Sequence, residues 1–183
     1  MAPQPRPLHR VESRPGQARQ AAVLVLLYPH QTQLSFVLIQ RTQHDRDVHS
    51  GQISLPGGSQ DAGETPVQTA LREAHEELGV NGGVQILGQL DPLYIPPSDF
   101  EVHPVVGYTS VRPHWIPAES EVVDVIECPL KWLLDDAHKV VEDWELRGFQ
   151  LRVPWYNVDG HQVWGATAII LSELEQRLRH VFG

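Results

Sequence analysis

The segment GETPVQTALREAHEELGV, residues 63–80, contains four glutamates, three of them within five residues of one another. On a helical wheel at about 100° per residue, Glu73, Glu76 and Glu77 share one arc, separate from the arc of apolar side chains. Their mutual repulsion costs only about 0.2–0.5 kcal/mol per pair. The cluster alone therefore leaves two interpretations open: a solvated helix edge, or a group of carboxylates that binds a cation.

Two features beside this cluster favour the cation site. Arg72 lies eight residues after Glu64 and can fold back to pair with it, which would hold the preceding loop against the helix. Gly57 and Gly58 break the chain before the helix and allow backbone carbonyls to turn inward. Carboxylate and carbonyl oxygens together are what hard divalent cations require. The residues thus predict a divalent-cation site.

The helices and strands around this site are predicted from local patterns along the chain. A helix is predicted from Thr65, as N-cap, with Pro66 at its first position, to Gly79. A second helix is predicted over about residues 166–181, and a short one at KWLLDDA. Strands are predicted in RQAAVLVLLYP, LSFVLIQRT, GQISLPGG (ending in a Pro-Gly-Gly break), VQILGQLDPLYI, VHPVVGYTS, DVIECPL and the hairpin VEDWELRGFQLRVPWYNV.

This irregular alternation of strands and helices predicts one α/β or α+β domain with a mixed sheet over residues 19–183. A loosely ordered arm is expected over residues 1–18, which are rich in proline and show no periodicity.

Composition narrows the class of protein. The net charge of −9 disfavours binding to nucleic acid and repels anionic substrates, unless a bound cation reverses the local charge. The longest apolar run, AAVLVLLY, is too short to cross a bilayer, so no membrane association is expected. The arm shows no secretory signal, and the single cysteine, Cys128, excludes an internal disulfide. We therefore expect a cytoplasmic protein.

The segment 58–80 resembles the Nudix box at every defined position. The matching residues are Gly58, Glu64, Arg72, Glu73, Glu76, Glu77 and Gly79. The resemblance implies an α/β/α sandwich with a loop–helix–loop motif. It also implies hydrolysis of a nucleoside diphosphate linked to another group, with Mg²⁺ or Mn²⁺ as cofactor.

The resemblance also assigns roles by motif position. Glu73, Glu76 and Glu77 would be catalytic metal ligands, with the Gly57 carbonyl as a further ligand. The structural residues of the motif would be Gly58, Glu64, Arg72 and Gly79. Nudix enzymes often draw another acidic residue from outside the box, and Glu121 is the residue we expect here, as metal ligand or general base. A surface glutamate is the alternative interpretation.

A narrower resemblance covers most of the chain from Arg19 onward. RQAAVLV, HSGQISLPGG, VHPVVG, SEVVDVIECPL and VWGATAIILSEL are similar to segments of the coenzyme A (CoA) diphosphatase branch. In that branch a basic residue, a glycine and Phe-Pro-Gly-Gly before the box accompany CoA recognition. The counterparts are Arg46, Gly51 and LPGG, with Leu55 in place of phenylalanine and Arg46 one residue further from Gly51 than the pattern has it.

The narrower resemblance implies that CoA is cut to 3′,5′-ADP and 4′-phosphopantetheine. Arg41 and Arg46 would contact substrate phosphates, with solvated surface arginines as the alternative. Other substrates stay open: ADP-ribose, NADH or a dinucleoside polyphosphate. A non-catalytic nucleotide sensor is disfavoured, because every box glutamate is present. The expected partner is a small CoA-like nucleotide diphosphate, and a homodimer is an open alternative to a monomer.

Overall fold

The computed structural model of the chain describes residues 18–42, 51–146 and 148–182. The arm expected over residues 1–18 lies outside the described residues except for its last residue, and so does Arg46. Within the described ranges the chain forms eleven strands, two α-helices and two short 3-10 helices.

The helices are α1 (Pro66–Leu78) and α2 (Gly165–Phe182), with the 3-10 helices at Leu130–Leu134 and Asp136–His138. The strands are β1 (Arg19–His30), β2 (Gln33–Arg41), β3 (Ile53–Ser54), β4 (Gly57–Ser59), β5 (Gln85–Gln89), β6 (Leu93–Ile95), β7 (Phe100–Tyr108), β8 (Val122–Pro129), β9 (Lys139–Leu146), β10 (Phe149–Val158) and β11 (His161–Val163).

A mixed eight-stranded sheet forms the centre of the fold. Its order is β3-β2-β1-β7-β5, with β4 and β6 added beside β1 and β7, and β8 beside β2. The long pairing of β1 with β7 is parallel, whereas β1 with β2 and β2 with β8 are antiparallel. The α+β class and the mixed sheet expected from the sequence are confirmed.

The two helices cover opposite faces of this sheet. Ala70, Ala74 and Leu78 of α1 pack with Leu24 and Leu26 of β1. The alternate β1 residues belong to a second core, which includes Leu171 and Leu174 of α2. Because both faces are covered, β1 is an almost unbroken apolar run rather than an alternating one.

Strand β4 is the element that brings the glycine pair to the sheet. β1 pairs with β4 near its beginning, at Ala21–Val23, and with β2 only from Leu27 onward. The sequence predicted Gly57 and Gly58 as a break, but both lie within β4. The Pro56 carbonyl also accepts a hydrogen bond from the Leu24 amide at 2.8 Å. The main chain of this segment is therefore fixed directly below α1.

Strands β9, β10 and β11 form a separate antiparallel sheet in the order β11-β10-β9. The sequence predicted the β9–β10 hairpin but neither β11 nor the separation into a second sheet. α2 is joined to this sheet through Glu175, which is 5% exposed and lies 2.5 Å from Lys139 Nζ and 2.6 Å from Arg179 Nε. The Tyr156 hydroxyl donates to Glu175 Oε2 at 2.7 Å.

The segment VQILGQLDPLYI, predicted as one strand, forms two. β5 and β6 both pair antiparallel with β7, and they are separated by the residues around Pro92. Proline has no amide hydrogen to donate to a ladder, so the pairing stops there. No helix in the described part of the chain is long and apolar enough to cross a membrane.

Candidate active site

Helix α1 is fixed at both ends by local hydrogen bonds. The Thr65 side chain accepts from the Gln68 amide, and the Gln68 side chain accepts from the Thr65 amide, which makes a capping box. Gly79 ends the helix with φ 71°, and its amide donates to the His75 carbonyl at 2.8 Å. These caps set the register of α1 and so decide which way each glutamate points.

The three box glutamates differ sharply in exposure. The side chain of Glu76 is 53% exposed, that of Glu73 is 13% exposed and that of Glu77 is 1% exposed. The expectation of one common edge pointing away from the core is therefore wrong for Glu77. Glu77 borders the apolar arc of α1, and β4 packs over it, with the Gly57 amide on its carboxylate.

Glu77 has two hydrogen-bond donors within the protein. Its Oε2 accepts from the Gly57 amide at 2.8 Å, and its Oε1 lies 3.3 Å from Arg41 Nη1. Burial is the main cause that raises the pKa of Glu77 to about 7. The two donors oppose this rise in pKa, whereas the carboxylates of Glu73 and Glu121 add to it. The Gly57 amide and Arg41 therefore offset only part of the cost of burying the negative charge of Glu77.

Glu121 joins this cluster from outside the helix. Burial raises the pKa of Glu73, and the charges of Glu76 and Glu121 raise it further, against the opposing effect of Arg72. Glu121 is exposed, and it is the residue outside the helix whose negative charge raises the pKa of both Glu73 and Glu77. Its turn is tied to the helix, since the Ala118 amide donates to the Glu77 carbonyl at 2.9 Å.

Arg72 connects the loop before the helix to the carboxylates. Its Nε and Nη2 donate to Glu64 at 2.8 and 3.2 Å, and Nη2 also donates to the Ser59 carbonyl at 2.9 Å. Its Nη1 lies 2.8 Å from carboxylate oxygens of both Glu73 and Glu76. The structure therefore contains the Arg72–Glu64 ion pair expected from the sequence. It also contains two ion pairs that were not expected, Arg72–Glu73 and Arg72–Glu76.

Glu64 receives further support that the sequence analysis missed. The buried Thr69 hydroxyl donates to Glu64 Oε2 at 2.8 Å, and the Asp61 amide donates at 3.1 Å. Hydrogen bonding from Arg72, then from Thr69, lowers the pKa of Glu64 to about 2. Thr69 falls on the same arc of the helical wheel as Glu73 and Glu76, and a hydroxyl on that arc was the available signal.

Replacing Arg72 by lysine tests this connection. An ammonium group cannot contact Glu64, Glu73 and the Ser59 carbonyl at once, so Arg72→Lys should lose about 1–3 kcal/mol of stability and about tenfold in kcat. Urea unfolding and steady-state kinetics measure both. Arg177→Lys is the matched control, because Arg177 is 52% exposed in an i,i+4 pair with Glu173, and about 0.5 kcal/mol or less is expected. Equal losses in the two variants would contradict a special role for Arg72.

The two glycines of β4 approach their neighbours too closely for a side chain. A Cβ at Gly58 would lie 2.5 Å from Glu73 Oε2, whereas a Cβ at Gly57 would lie 2.3 Å from the Ala22 carbonyl oxygen. The first obstacle is the movable end of a side chain, and the second is fixed backbone. The two glycines should therefore respond differently to substitution.

Gly58→Ala is expected to fold with nearly normal stability but to lose about 100-fold in kcat, because the methyl group displaces the Glu73 carboxylate. Gly57→Ala is expected to lose about 2 kcal/mol or more of stability. Gly82→Ala is the control for glycine removal, since Gly82 has φ 62° and nothing within 4 Å of its Cβ position. Thermal unfolding and kinetics of all three variants check this, and a stable Gly57→Ala protein would contradict it.

The oxygen donors here suit a hard divalent cation, and carboxylates that raise one another's pKa are what a cation would relieve. As the side chains lie, no three acidic, histidine or cysteine groups in the described ranges are arranged to hold one ion. Arg72 engages Glu73 and Glu76, and Arg41 engages Glu77. The residues fit a divalent cation in chemical type.

Residues predicted to contact substrate lie beside this cluster. Arg41, at the end of β2, reaches Glu77, and its amide donates to the Gln52 carbonyl at 3.1 Å. Gly51 has φ 70°, and its amide donates to the Thr42 carbonyl at 3.3 Å. Arg46 lies outside the described residues. The structure therefore brings Arg41 and Gly51 to one edge of the site.

Comparison with known proteins decides the family. The NUDIX domain matches residues 18–146. The chain belongs to the Nudix family. A relative in Pectobacterium atrosepticum, described as an uncharacterized Nudix hydrolase, NudL, is 36% identical over 182 residues, which cover 95% of this chain and 86% of that protein. A NudL of the same description in an Enterobacter species is 39% identical over 160 residues, covering 85% and 81% of the two chains.

Solved Nudix structures share the fold. The crystal structure of the M. smegmatis Nudix hydrolase RenU has a TM-score of 0.59 at 19% identity, covering 90% of this chain and 86% of that one. The MutT protein of Methanosarcina mazei gives 0.57 at 17% identity, with 88% and 94% covered. This Nudix protein is thus a pyrophosphohydrolase of a family that uses divalent metal ions and acts on small nucleotide diphosphates.

Proposed function

We propose that this Nudix hydrolase cleaves the diphosphate of CoA or a CoA derivative to 3′,5′-ADP and 4′-phosphopantetheine, in the cytoplasm, with Mg²⁺ or Mn²⁺. The observation that carries the proposal is the packing of Glu73 and Glu77 of α1 against the glycine pair of β4, where the Gly57 amide donates to Glu77 and Gly58 leaves room for the Glu73 carboxylate. The CoA part rests on the resemblance around Gly51 and LPGG, which forms the edge next to this cluster.

Three glutamates and one carbonyl are assigned to the cation: Glu73, Glu76, Glu77 and the carbonyl of Gly57. When bound, the ion neutralises the diphosphate, polarises phosphorus and makes water more acidic. The chain keeps these groups in place through Arg72, which spaces Glu73 and Glu76, and through the Gly57 amide, which orients Glu77. The Arg41 charge favours the ionised form of Glu77.

Glu121 is assigned as general base, because it lies on a separate loop and its charge acts on both Glu73 and Glu77. Water oxygen forms a bond to one phosphorus, the bond from that phosphorus to the bridging oxygen breaks, and Glu121 takes the water proton. The bridging oxygen leaves on the other phosphate. Arg41 and Arg46 are assigned to the substrate phosphates, since an arginine offers a bidentate fork.

Hydrolysis in ¹⁸O-labelled water tests this function. CoA, ADP-ribose, NADH and a dinucleoside polyphosphate are compared side by side with Mg²⁺ and with Mn²⁺, and products are identified by mass spectrometry. We expect CoA to have at least about tenfold the kcat/KM of the others, a difference of about 1.4 kcal/mol in transition-state binding. The position of the label shows which phosphorus is attacked.

The outcomes separate the alternatives. Faster cleavage of ADP-ribose, NADH or a dinucleoside polyphosphate would show that CoA is not the preferred substrate. The assignment as a hydrolase would still hold. Tight binding of a nucleotide without turnover in either metal would support the sensor instead. Light scattering on the same preparation distinguishes monomer from homodimer.

A further inference from the structure

An open cavity of about 440 Å³ lies between the end of β2 and the separate three-stranded sheet. Although the chain carries a net charge of −9, no Asp, Glu, Lys or Arg is found among the described residues that line it. Four side-chain amides and two indole rings line it: Gln40, Gln52, Asn157, Gln162, Trp155 and Trp164. Such a surface suits an uncharged ligand with hydrogen-bonding groups.

The indole side of this cavity is held in place. Nε1 of Trp155 and Nε1 of Trp144 both donate to Glu142 Oε2, at 3.1 and 2.9 Å. Trp164 packs edge to face against Trp144, with ring centroids 5.3 Å apart and an interplanar angle of 71°. A wall fixed in this way loses little conformational freedom when a ligand binds.

The cavity is connected to the carboxylate cluster through consecutive residues. Gln40 lines the cavity, whereas Arg41 reaches Glu77. Neighbouring residues of a strand point to opposite faces, so a ligand that occupies both places must pass around the end of β2. A long, flexible arm on one side of a diphosphate can follow such a path.

We propose that this cavity binds an uncharged, amide-bearing arm attached to one end of the diphosphate, and so selects the substrate. This inference rests on the proposed function, whose substrate has such an arm. Amide groups of the arm pair with the glutamine and asparagine side chains, and its apolar links lie against Trp155 and Trp164. A phosphate group is disfavoured, because the described lining offers no cationic side chain of lysine or arginine.

Gln162→Leu tests the cavity in the full-length protein. Gln162 is exposed and lies on a short strand, so the change should not affect folding. We expect the ratio of KM for CoA to KM for ADP-ribose to rise about tenfold, with the change in KM rather than kcat. Gln150→Leu is the matched control, an exposed glutamine of β10 outside the cavity lining, and its KM ratio should stay at the wild-type value. An unchanged ratio in Gln162→Leu overturns the inference.

A binding measurement without metal separates this inference from the hydrolytic function. Pantetheine and adenosine are titrated by calorimetry into wild-type and Gln162→Leu protein in EDTA. Saturable binding of pantetheine, about tenfold weaker in Gln162→Leu, is expected. Preference for adenosine, or no binding of pantetheine, overturns the inference even if CoA is cleaved. Pantetheine binding in a protein that does not cleave CoA would refute the proposed function instead.

Discussion

The Glu77→Gln protein is expected to lose at least about 10³-fold in kcat and yet to be more stable than wild type at pH 8 in EDTA. A loss of this size corresponds to about 4 kcal/mol of transition-state stabilisation. Glutamine keeps an oxygen that can accept from the Gly57 amide, but it has no charge to offer a cation. The same substitution removes a buried carboxylate whose charge is only partly compensated.

The stability gain of Glu77→Gln follows from the upward shift of the Glu77 pKa. Burial raises that pKa from its ordinary value of 4.5 to about 7, so the folded chain binds the proton more tightly than the unfolded chain. The resulting stability is fully present below pH 4.5 and is lost as the pH rises through about 7. The loss is about 3 kcal/mol. The side-chain amide of glutamine does not titrate in this pH range. The stability of the Glu77→Gln protein should therefore not decline between pH 4.5 and pH 8.

Urea unfolding in EDTA between pH 4 and 8, at about one-unit steps, measures the effect. Glu76→Gln is the matched control, because Glu76 is on the same helix but 53% exposed, and it should keep the wild-type decline. Adding Mn²⁺ at pH 8 should raise the Tm of wild type and not that of Glu77→Gln. A Glu77→Gln protein that folds and retains full hydrolysis at saturating Mg²⁺ would contradict the assigned role.

Glu175→Ala is expected to lose about 3–5 kcal/mol of stability, or about 10 °C in Tm. Glu175 is 5% exposed and pairs with Lys139 and Arg179, and the Tyr156 hydroxyl donates to it. Burial raises the pKa of Tyr156, so that hydroxyl remains a donor at neutral pH. Alanine removes the carboxylate acceptor of the buried Tyr156 hydroxyl and leaves Lys139 and Arg179 with the exposed Asp136 as their remaining carboxylate, where α2 joins the three-stranded sheet.

Glu173→Ala on the same helix is the comparison. Glu173 pairs with the exposed Arg177 and accepts from the Asp91 amide, so about 1 kcal/mol or less is expected. Differential scanning calorimetry of the two variants measures the difference. Similar Tm values would show that the Glu175 cluster contributes no more than a surface ion pair.

The parts of the site that depend on neighbouring residues could be predicted from the sequence. Thr65, Pro66 and Gly79 fix the ends of α1 through contacts within a few residues, and a rigid helix brings Arg72 back to Glu64. The burial of Glu77 could not be predicted in this way. Its Arg41 contact spans 36 residues, and the periodicity of a helix shows which side chains share a face but not what packs over that face.

The second sheet was missed for a related reason. β11 has three residues, too few for an alternating pattern to be recognised, and it is defined by its pairing with β10. Pro92 accounts for the division of β5 from β6, but the partner of both strands, β7, could not be read from their own segment. Long-range pairing is information that a single local window does not contain.

The bond from the Ala118 amide to the carbonyl of Glu77 uses only main-chain atoms. Any amino acid except proline at either position could in principle form it, since proline would break α1 at 77. A descendant with glutamine at 77, which can still accept from the Gly57 amide, would thus keep the geometry of both loop and helix while giving up the reaction. Evolution from catalyst to nucleotide receptor would then need only one codon change and no remodelling of the scaffold.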